Sequence, residues 1–295
     1  MNLLPRHVRP IRSVFLCFAL FAFFAGNHSA SADPGTTLAL NSQIDSYIKG
    51  LRGRGVIRGH ERTAWLVYDL TSQTKLASIN EDLSLQAASM VKPYLALAFF
   101  HQVEAGRLIY GPESRKHMEL MIQKSNNSST NWVMRHTGGP AATENLLKRH
   151  YPALCRQLRL VEYIPSNGRT YRNRGSAGDY GRFLATLWKR QLPRSEEILR
   201  IMGLPGTNRL YTRARRVPKG TRVFNKTGST AMCCGDMGIL VAQRGNGGTY
   251  PYIVVGIIDS ARRSPSYGTW ISQRADVIRE VSNLAYLAMK QRHSL

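Results

Sequence analysis

Acidic residues and cysteine are both scarce in this sequence. Its 295 residues include 18 aspartates and glutamates against 41 lysines and arginines, and only four cysteines. The spacings CxxC, HExxH and HxxEH are absent and the eight histidines are scattered, which excludes the usual zinc-binding patterns. Internal repeats and low-complexity linkers are absent as well. We therefore expect a chain that needs no metal and no cofactor.

The first 32 residues have the pattern of a secretory signal peptide. A basic start with three arginines precedes an apolar run at 14–25, and small residues at 30–32 offer a cleavage site. The apolar run is too short for a membrane span, and later apolar segments are interrupted by charges. We expect cleavage near Ala32, a periplasmic or secreted location in a bacterium, and no stable membrane span afterwards.

Basic charge dominates what remains after that cleavage. Loss of the three arginines leaves 38 basic and 18 acidic residues, a net charge of +20. Basic residues cluster at 52–62 and at 209–222, and outside the cytoplasm such clusters suit an envelope polyanion rather than nucleic acid. A second interpretation is a solvated basic surface without a partner, because no aromatic stacking pattern interleaves with these arginines.

The apolar spacing predicts an α+β fold. Apolar residues every three to four positions indicate a first helix near 40–51, a buried helix over 89–104 and a final helix near 269–291. Alternating and apolar runs predict five strands, at 64–70, 75–79, 221–227, 236–243 and 251–258. Residues 155–177 show no period and predict a long loop.

The order of these elements predicts an α/β sandwich built on one antiparallel five-stranded sheet that both ends of the mature chain complete. Terminal helices would flank the sheet, and an all-helical lobe would be inserted between its strands. We place the sheet lobe at about 36–82 and 208–292 and the helical lobe at about 83–207, within one catalytic domain over 33–295. The cleft between two such lobes is where a site is expected.

Three short motifs follow one another along the chain: Ser89-Met90-Val91-Lys92, Ser125-Asn126-Asn127 and Lys226-Thr227-Gly228. Each motif is weak alone, because further SxxK and SxN matches exist, but their order points to an active-site serine acyl-transfer enzyme. In the alternative interpretation the two serines merely cap helices and the lysine of the third motif is a surface charge. That interpretation requires three independent coincidences on an exported chain.

The spacing of the first motif predicts an activated nucleophile. With Ser89 at a helix start, Lys92 lies one turn away on the same face, and Pro93 falls in the first turn, where its ring is tolerated. A confined apolar setting lowers the pKa of Lys92, so that its amine takes the serine proton near neutral pH. The backbone amides of Ser89 and of Ser229, just after the third motif, would form an oxyanion hole.

The remaining motif residues have predicted roles in binding and proton transfer. Ser125 would relay a proton to the leaving nitrogen, and Asn127 would hold the substrate amide. Lys226 and Thr227 would bind a substrate carboxylate, as a point charge and a hydroxyl donor, with Gly228 completing that substrate-binding strand. Such a site selects amides next to a carboxylate, which describes β-lactams and peptides that end in D-alanyl-D-alanine.

The motif set resembles that of the class A β-lactamases and their relatives among the penicillin-interacting serine enzymes. The likeness covers nearly all of the mature chain, and its further segments are Val103-Glu104-Ala105-Gly106, Gly138-Gly139-Pro140 and Val217-Pro218-Lys219-Gly220-Thr221. The resemblance implies a two-lobed fold and a route through an acyl-enzyme.

One departure from that family concerns release of the acyl group. The family's ExxLN element, whose glutamate activates the releasing water, is absent between the second and third motifs. Glu162 is the only acid from Cys155 to Gly178, and we predict it as a candidate water base. The alternative is a surface carboxylate paired with a loop arginine. Without such a base, which typically contributes roughly 10²–10⁴-fold, the acyl-enzyme would persist.

A second departure concerns the wall of the pocket. Only 36 residues separate Ser89 from Ser125, where the resembling enzymes have a distinctly longer stretch, and a truncated wall predicts an open cleft that admits a bulky or polymeric substrate. Asn126 stands where an aspartate is common in that motif, which we expect to alter loop support more than chemistry.

Three functions fit these observations. The leading hypothesis is an exported serine hydrolase of class A β-lactamase type that opens a β-lactam amide through an acyl-enzyme on Ser89. The nearest alternative is a D-alanyl-D-alanine carboxypeptidase, or penicillin-binding peptidase, acting on cell-wall peptides. The third is a binding protein that is acylated and released slowly, or that binds an envelope polyanion.

Three cysteines remain in the mature chain. Export permits a disulfide between Cys155 and either Cys233 or Cys234, and the sequence does not choose between the two pairings. One free thiol must remain whichever bridge forms.

Overall fold

The computed structural model describes residues 34–165, 172–245 and 247–295, with side chains from residue 39 onward. The proposed signal peptide and its cleavage site lie outside the described residues, as do residues 166–171 of the predicted long loop. Within the described part of the chain, no helix is long and apolar enough to cross a membrane.

The described residues contain seven strands, which form two antiparallel sheets. They are β1 (Glu61–Asp69), β2 (Thr74–Ile79), β3 (Leu85–Gln86), β4 (Arg174–Gly175), β5 (Arg222–Thr230), β6 (Cys233–Gln243) and β7 (Thr249–Ser260). The large sheet has the order β2-β1-β7-β6-β5, and β3 pairs with β4 separately. The first hairpin joins the later meander through β1 and β7, where Trp65 lies opposite Gly256. Strand β5 is left at the edge of the large sheet.

Eight α-helices in the described ranges pack around this sheet. They are α1 (Pro34–Gly53), α2 (Lys92–Glu104), α3 (Pro112–Ile122), α4 (Asn127–His136), α5 (Pro140–His150), α6 (Ala177–Trp188), α7 (Ser195–Met202) and α8 (Tyr267–His293). Short 3-10 helices occupy Ala88–Val91 and Pro152–Leu154. Both α3 and α5 begin with proline after glycine, an arrangement in which the proline ring is preorganised for the first turn.

The terminal helices pack on one face of the large sheet. Leu40, Ile44 and Ile48 recur every four residues of α1, and they join Ile278 of α8 and Trp65 of β1 in one buried cluster. Because side chains alternate across a strand, Trp65 points to this face and its neighbours point to the other. Burial of each aliphatic side chain stabilises the fold by about 1.5–3 kcal/mol.

The opposite face of the sheet carries the other helices. Leu66 of β1 and Ile257 of β7 belong to a second buried cluster that includes α2 and α6 side chains. Helix α2 is buried at every residue from Lys92 to Phe100, which is the behaviour of a helix that is apolar on all sides. Lys92, the first residue of α2, therefore lies in the apolar core.

These elements confirm the predicted α+β fold with a five-stranded antiparallel sheet flanked by the terminal helices. Strands β5 and β6 extend further than the sequence pattern predicts, and only Ala231 and Met232 connect them. The reason is that Gly228 and Gly235, which lie opposite each other in the hairpin, carry no apolar side chain for a pattern to detect. The two-residue strands β3 and β4 are too short for periodicity and were not predicted.

The three described cysteines are all free and buried. Burial raises the pKa of each thiol, that of Cys234 to about 11, so little thiolate is present near neutral pH. Neither of the two disulfides that the sequence left open is formed.

Candidate active site

The first motif lies where a short 3-10 helix meets the long buried helix α2. Ser89 belongs to the 3-10 helix, and the Lys92 N–H at the start of α2 donates to the Ser89 carbonyl oxygen. The sequence predicted Ser89 in the α-helix itself, whereas it occupies a separate preceding turn. Ala88, just before it, has φ 43°, a left-handed conformation that costs a non-glycine residue about 1–3 kcal/mol. Pro93 stands in the first turn of α2, as expected.

The nucleophile turn packs directly on strand β5 at the glycine of the third motif. A Cβ atom built on Gly228 would lie 3.0 Å from Met90 Cγ, 3.1 Å from Ala88 Cβ and 3.2 Å from the Ala87 carbonyl oxygen. The opposite residue of the hairpin, Gly235, leaves room for the end of the Met90 side chain in the same way. The Lys-Thr-Gly motif thus needs its glycine so that the turn carrying Ser89 can approach the strand.

Lys92 is fully buried, and its Nζ lies within hydrogen-bond distance of three oxygen atoms. Its Nζ lies 2.7 Å from the Ser125 carbonyl oxygen, 3.1 Å from Asn127 Oδ1 and 3.2 Å from Ser125 Oγ. Burial, and then the positive charge of Lys226, lower the pKa of Lys92 well below its usual value. A neutral amine has two hydrogens, which the two carbonyl oxygens accept, and one lone pair that remains available for a proton.

Ser125 lies between the two lysines of the motifs. Its Oγ lies 3.2 Å from Lys92 Nζ, within hydrogen-bond distance, and accepts from Lys226 Nζ at 3.1 Å. Ser125 also has a left-handed backbone, with φ 54°, immediately before helix α4. Asn126 caps that helix by accepting the Ser129 N–H at 2.7 Å, so an amide serves here as well as an aspartate as a helix cap.

Lys226 is the second buried amine of the site. It lies in strand β5 with 2% exposure, and its Nζ also donates to the Thr227 carbonyl oxygen at 3.0 Å. Burial lowers the pKa of Lys226 to about 8, with Asp236 opposing that shift and Arg209 adding to it. Lys226 is therefore mostly cationic at neutral pH, and its positive charge favours the neutral form of Lys92.

Arg209 and Asp236 support the hairpin of β5 and β6 through hydrogen bonds, and the sequence analysis did not predict either residue as part of the site. Arg209 donates from Nη1 to the Gly235 carbonyl oxygen at 2.7 Å and from Nη2 to Ser229 Oγ at 2.7 Å. Its backbone N–H donates to Asp236 Oδ2 at 2.6 Å. Burial raises the pKa of Asp236 to about 6, although Arg209 and Asn225 hold its charged form. A lone aspartate inside a predicted strand was the available signal.

The long loop presents an apolar residue beside the second motif. Asn131 lies one helical turn after Asn127, and its side chain clamps the Ile164 backbone, accepting the N–H at 2.9 Å and donating to the carbonyl oxygen at 2.6 Å. The Ile164 side chain is buried. These two hydrogen bonds determine that Ile164 is the loop residue next to helix α4, and its side chain is apolar rather than acidic.

Glu162, the predicted water base, lies two residues before the clamped position. Its Oε1 accepts the Arg172 N–H at 2.9 Å, a bond that ties the two sides of the loop together. The neighbouring Asn173 side chain adds to this tie, because it accepts the Val161 N–H at 2.8 Å and donates to the Glu162 carbonyl oxygen. The structure thus brings together Lys92, Ser125, Asn127 and Lys226, with Gly228 against the Ser89 turn, and shows Glu162 bonded within its own loop.

Residues Thr227 and Ser229 lie on β5, where the strand faces the nucleophile turn. Thr227 is partly exposed and Ser229 is exposed, and edge strands leave alternate backbone N–H groups unpaired by the sheet. Among the described residues, no group of three histidine, cysteine or acidic side chains is placed to hold a metal ion. The arrangement can carry out acyl transfer with its own amines and hydroxyls.

A comparison with family models relates this site to known proteins. Residues 46–111 and 112–288 match the model described as the beta-lactamase enzyme family. The chain belongs to that family. A comparison with curated proteins gave no match.

Solved structures of the beta-lactamase fold superpose on most of this family member. PBP-A is 21% identical, with a TM-score of 0.68 over 86% of this chain and 96% of PBP-A. A PBP-A mutant described as an acyl-enzyme complex with penicillin G has a TM-score of 0.67 at 21% identity, over 86% of this chain and 97% of that one. An ancestral class A β-lactamase, from the last common ancestor of Gram-negative bacteria, has a TM-score of 0.65 at 20% identity, over 83% of this chain and all of that one. At these identities the structures show the fold.

Proposed function

We propose that this family member is an exported serine enzyme that opens a β-lactam amide through an acyl-enzyme on Ser89. The observation that carries the proposal is the hydrogen-bonded series Lys92–Ser125–Lys226, in which two buried amines share one hydroxyl beside the Ser89 turn. A structural role does not account for two lysines in one buried site, because burying both charges is costly.

Acylation begins with proton transfer to Lys92. As Ser89 Oγ bonds to the amide carbon, its proton passes to the lone pair of Lys92 Nζ, one helical turn away. When the carbon–nitrogen bond breaks, the Ser125 hydroxyl gives its proton to the leaving nitrogen and takes one from Lys92. The Ser89 and Ser229 amides would stabilise the oxyanion, and each such donor typically lowers the activation barrier by about 3 kcal/mol.

The third motif accounts for substrate choice in this proposal. Cationic Lys226 and the Thr227 hydroxyl would bind the carboxylate next to the scissile amide. Arg209 and Asp236 keep the strand in place. Burial lowers the pKa of Lys226 to about 8, and these two charges act on it in opposite directions. Penicillin G carries such a carboxylate, and the PBP-A mutant that forms an acyl-enzyme with it has the same fold, which supports penicillin G as the first probe.

Slow release of the acyl group is the second part of the proposal. The loop residue clamped beside the Asn127 helix is Ile164 rather than an acid, and Glu162 remains the proposed base only if its carboxylate leaves the Arg172 amide. A slowly released acyl-enzyme suits a peptidase of cell-wall peptides, or a penicillin-binding sensor, better than a fast β-lactamase. We keep the D-alanyl-D-alanine carboxypeptidase as the second candidate for this reason.

Intact-mass spectrometry after mixing with penicillin G tests the nucleophile. The wild-type protein should gain one penicillin mass, and Ser89→Ala should gain none. Ser46→Ala is the matched control, because Ser46 belongs to another SxxK match but lies exposed on α1, and it should label like the wild type. Full labelling of the Ser89 variant would exclude this serine as the nucleophile.

Two substrates separate the candidate functions. Hydrolysis of a chromogenic cephalosporin with many turnovers would favour the β-lactamase, whereas release of D-alanine from a stem peptide would favour the carboxypeptidase. A long-lived adduct without either turnover would favour the sensor. Export and an envelope polyanion partner stay predictions, supported by the signal-like N-terminus and the net charge of +23.

A further inference from the structure

A basic cavity lies between the end of helix α1 and the start of helix α8, and no residue of the three motifs lines it. Its volume is about 490 Å³, within the usual range for small-ligand sites. The charged side chains that line it, besides His60, are Arg54, Arg58, Arg262, Arg263, Arg274 and Glu61. Five arginines thus face one carboxylate, and nothing in the acyl-transfer site uses them.

The single carboxylate of the cavity is already satisfied. Glu61 is fully buried and receives Arg274 Nη2 at 2.6 Å and Arg274 Nε at 2.8 Å. Trp270 Nε1 and the Arg58 N–H add bonds of 2.8 Å and 2.7 Å. Glu61 therefore cancels the charge of Arg274 and has little capacity left to pair with the other arginines.

Four of these arginines have no acidic side chain as an ion-pair partner in the part of the chain that the structure describes. Among the residues that the structure describes, no carboxylate forms an ion pair with Arg54, Arg58, Arg262 or Arg263. The first two follow the α1 helix and the other two precede α8, so distant parts of the chain bring like charges to one concave surface. Like charges collected in this way repel one another and favour a bound anion.

The start of helix α8 adds donors to the same cavity. Ser266, its N-cap residue, makes no capping hydrogen bond, and no acid stands in the first turn. The first N–H groups of a 27-residue helix are thus left without a side-chain acceptor. Four hydroxyls, those of Ser260, Ser264, Ser266 and Thr269, also line the cavity.

From this cluster we infer that the cavity between α1 and α8 is a binding site for a phosphoryl group. Guanidinium groups and free helix N–H groups together are the donors that bind phosphate in proteins. A phosphoryl group carries up to two charges and three acceptor oxygens, which suits a surplus of four arginines better than a single carboxylate does. The volume leaves room for a small attached group, such as a glycerol or sugar.

Calorimetric titration of the whole protein with glycerol phosphate tests the site, at low salt. The wild type should bind, and the double variant Arg262→Ala/Arg263→Ala should bind about 100-fold more weakly, since each of the two lost charge-assisted bonds is worth about tenfold. The control is Arg215→Ala/Arg216→Ala, which removes two exposed arginines. Arg216 N–H contacts Asn283, about 24 Å along α8 from its start.

A negative charge added inside the cavity gives a second test, in which loss of binding can be told apart from loss of folding. Thr269→Glu places an acid in the first turn of α8, where it favours the helix, so its melting temperature should not fall while phosphate binding is lost. Penicillin labelling on Ser89 should be unchanged in all of these variants, because the cavity is separate from the motifs.

Vesicles containing phosphatidylglycerol identify the source of the phosphoryl group. Vesicle binding that requires Arg262 and Arg263 indicates a lipid headgroup, whereas binding of glycerol phosphate alone indicates a soluble ligand or polymer unit. Absence of binding to both probes, or equal weakening in the cavity variant and in the Arg215/Arg216 control, would overturn the assignment.

Discussion

The pH dependence of acylation is the sharpest prediction that the site allows. Lys226 has a pKa of about 8 because it is buried, and only its cationic form binds the substrate carboxylate. The second-order rate constant for acylation reports groups of the free enzyme. It should therefore approach a tenfold fall per pH unit above about pH 8, which is about 50-fold between pH 8 and pH 10.

Lys92 should not contribute to this alkaline limb. Burial and the positive charge of Lys226 lower the pKa of Lys92, and loss of its proton frees the base, so its titration cannot make the rate fall as the pH rises. The assay is the rate of penicillin adduct formation by intact mass from pH 6 to pH 10, corrected for hydrolysis of the free antibiotic.

Two comparisons isolate Lys226 as the cause. Lys226→Arg keeps a cation at every pH tested, so its rate, although lower, should stay level to pH 10. A penicillin ester, which lacks the carboxylate, should react slowly and without the limb. A wild-type rate that stays constant up to pH 10 would refute the carboxylate-binding role of Lys226.

Two further predictions concern the glycine of the third motif and the loop. Gly228→Ala would push Ala88 and Met90 away from β5. The acylation rate should fall at least about tenfold, and urea titration should show a free energy of unfolding lower by about 1–3 kcal/mol. The control Gly245→Ala, at a position with open space around the added methyl group, should change neither quantity. Ile164→Glu places a carboxylate at the loop residue that Asn131 holds, and the penicillin adduct should then decay at least about tenfold faster. The control Val161→Glu should leave the decay rate of the adduct unchanged. An unchanged adduct half-life in the Ile164 variant would contradict the position of this loop residue beside the acylated serine.

Much of the fold follows from patterns that the sequence carries locally. The four-residue spacing in α1, the continuous apolar stretch of α2 and the turn-bounded strands all report which face is buried. The order of the three motifs likewise predicted Lys92, Ser125 and Lys226, which the structure brings into one hydrogen-bonded series.

Contacts between distant segments were beyond local patterns. Arg209 and Asp236 are 27 positions apart, and their hydrogen bond depends on the register of the β5–β6 hairpin. The sequence pattern does not show this register, because Gly228 and Gly235, which lie opposite each other, have no side chains. The Asn131 clamp on Ile164 spans 33 positions. A polar residue on a helix surface gives no sign of a backbone partner in a loop, so the orientation of the loop could not be read from sequence.

The site is also a source of instability that the two apolar clusters must offset. The pKa of Lys226 falls from 10.5 to about 8 on folding, so the folded state binds fewer protons than the unfolded chain between those values. Stability therefore rises with pH through that window, and below pH 8 the buried charge costs about 3 kcal/mol. Lys226→Met removes this penalty along with some hydrogen bonds.

Its effect on stability must consequently depend on pH in a known direction. Relative to wild type, the free energy of unfolding of Lys226→Met should be about 3 kcal/mol more favourable at pH 7 than at pH 10.5, whatever constant contribution the lost bonds make. Urea titrations of both proteins at the two pH values measure this difference, and other titrating groups cancel in the comparison. A difference that does not change with pH would show that Lys226 pays no burial penalty, and the two-lysine argument for Ser89 would lose its basis.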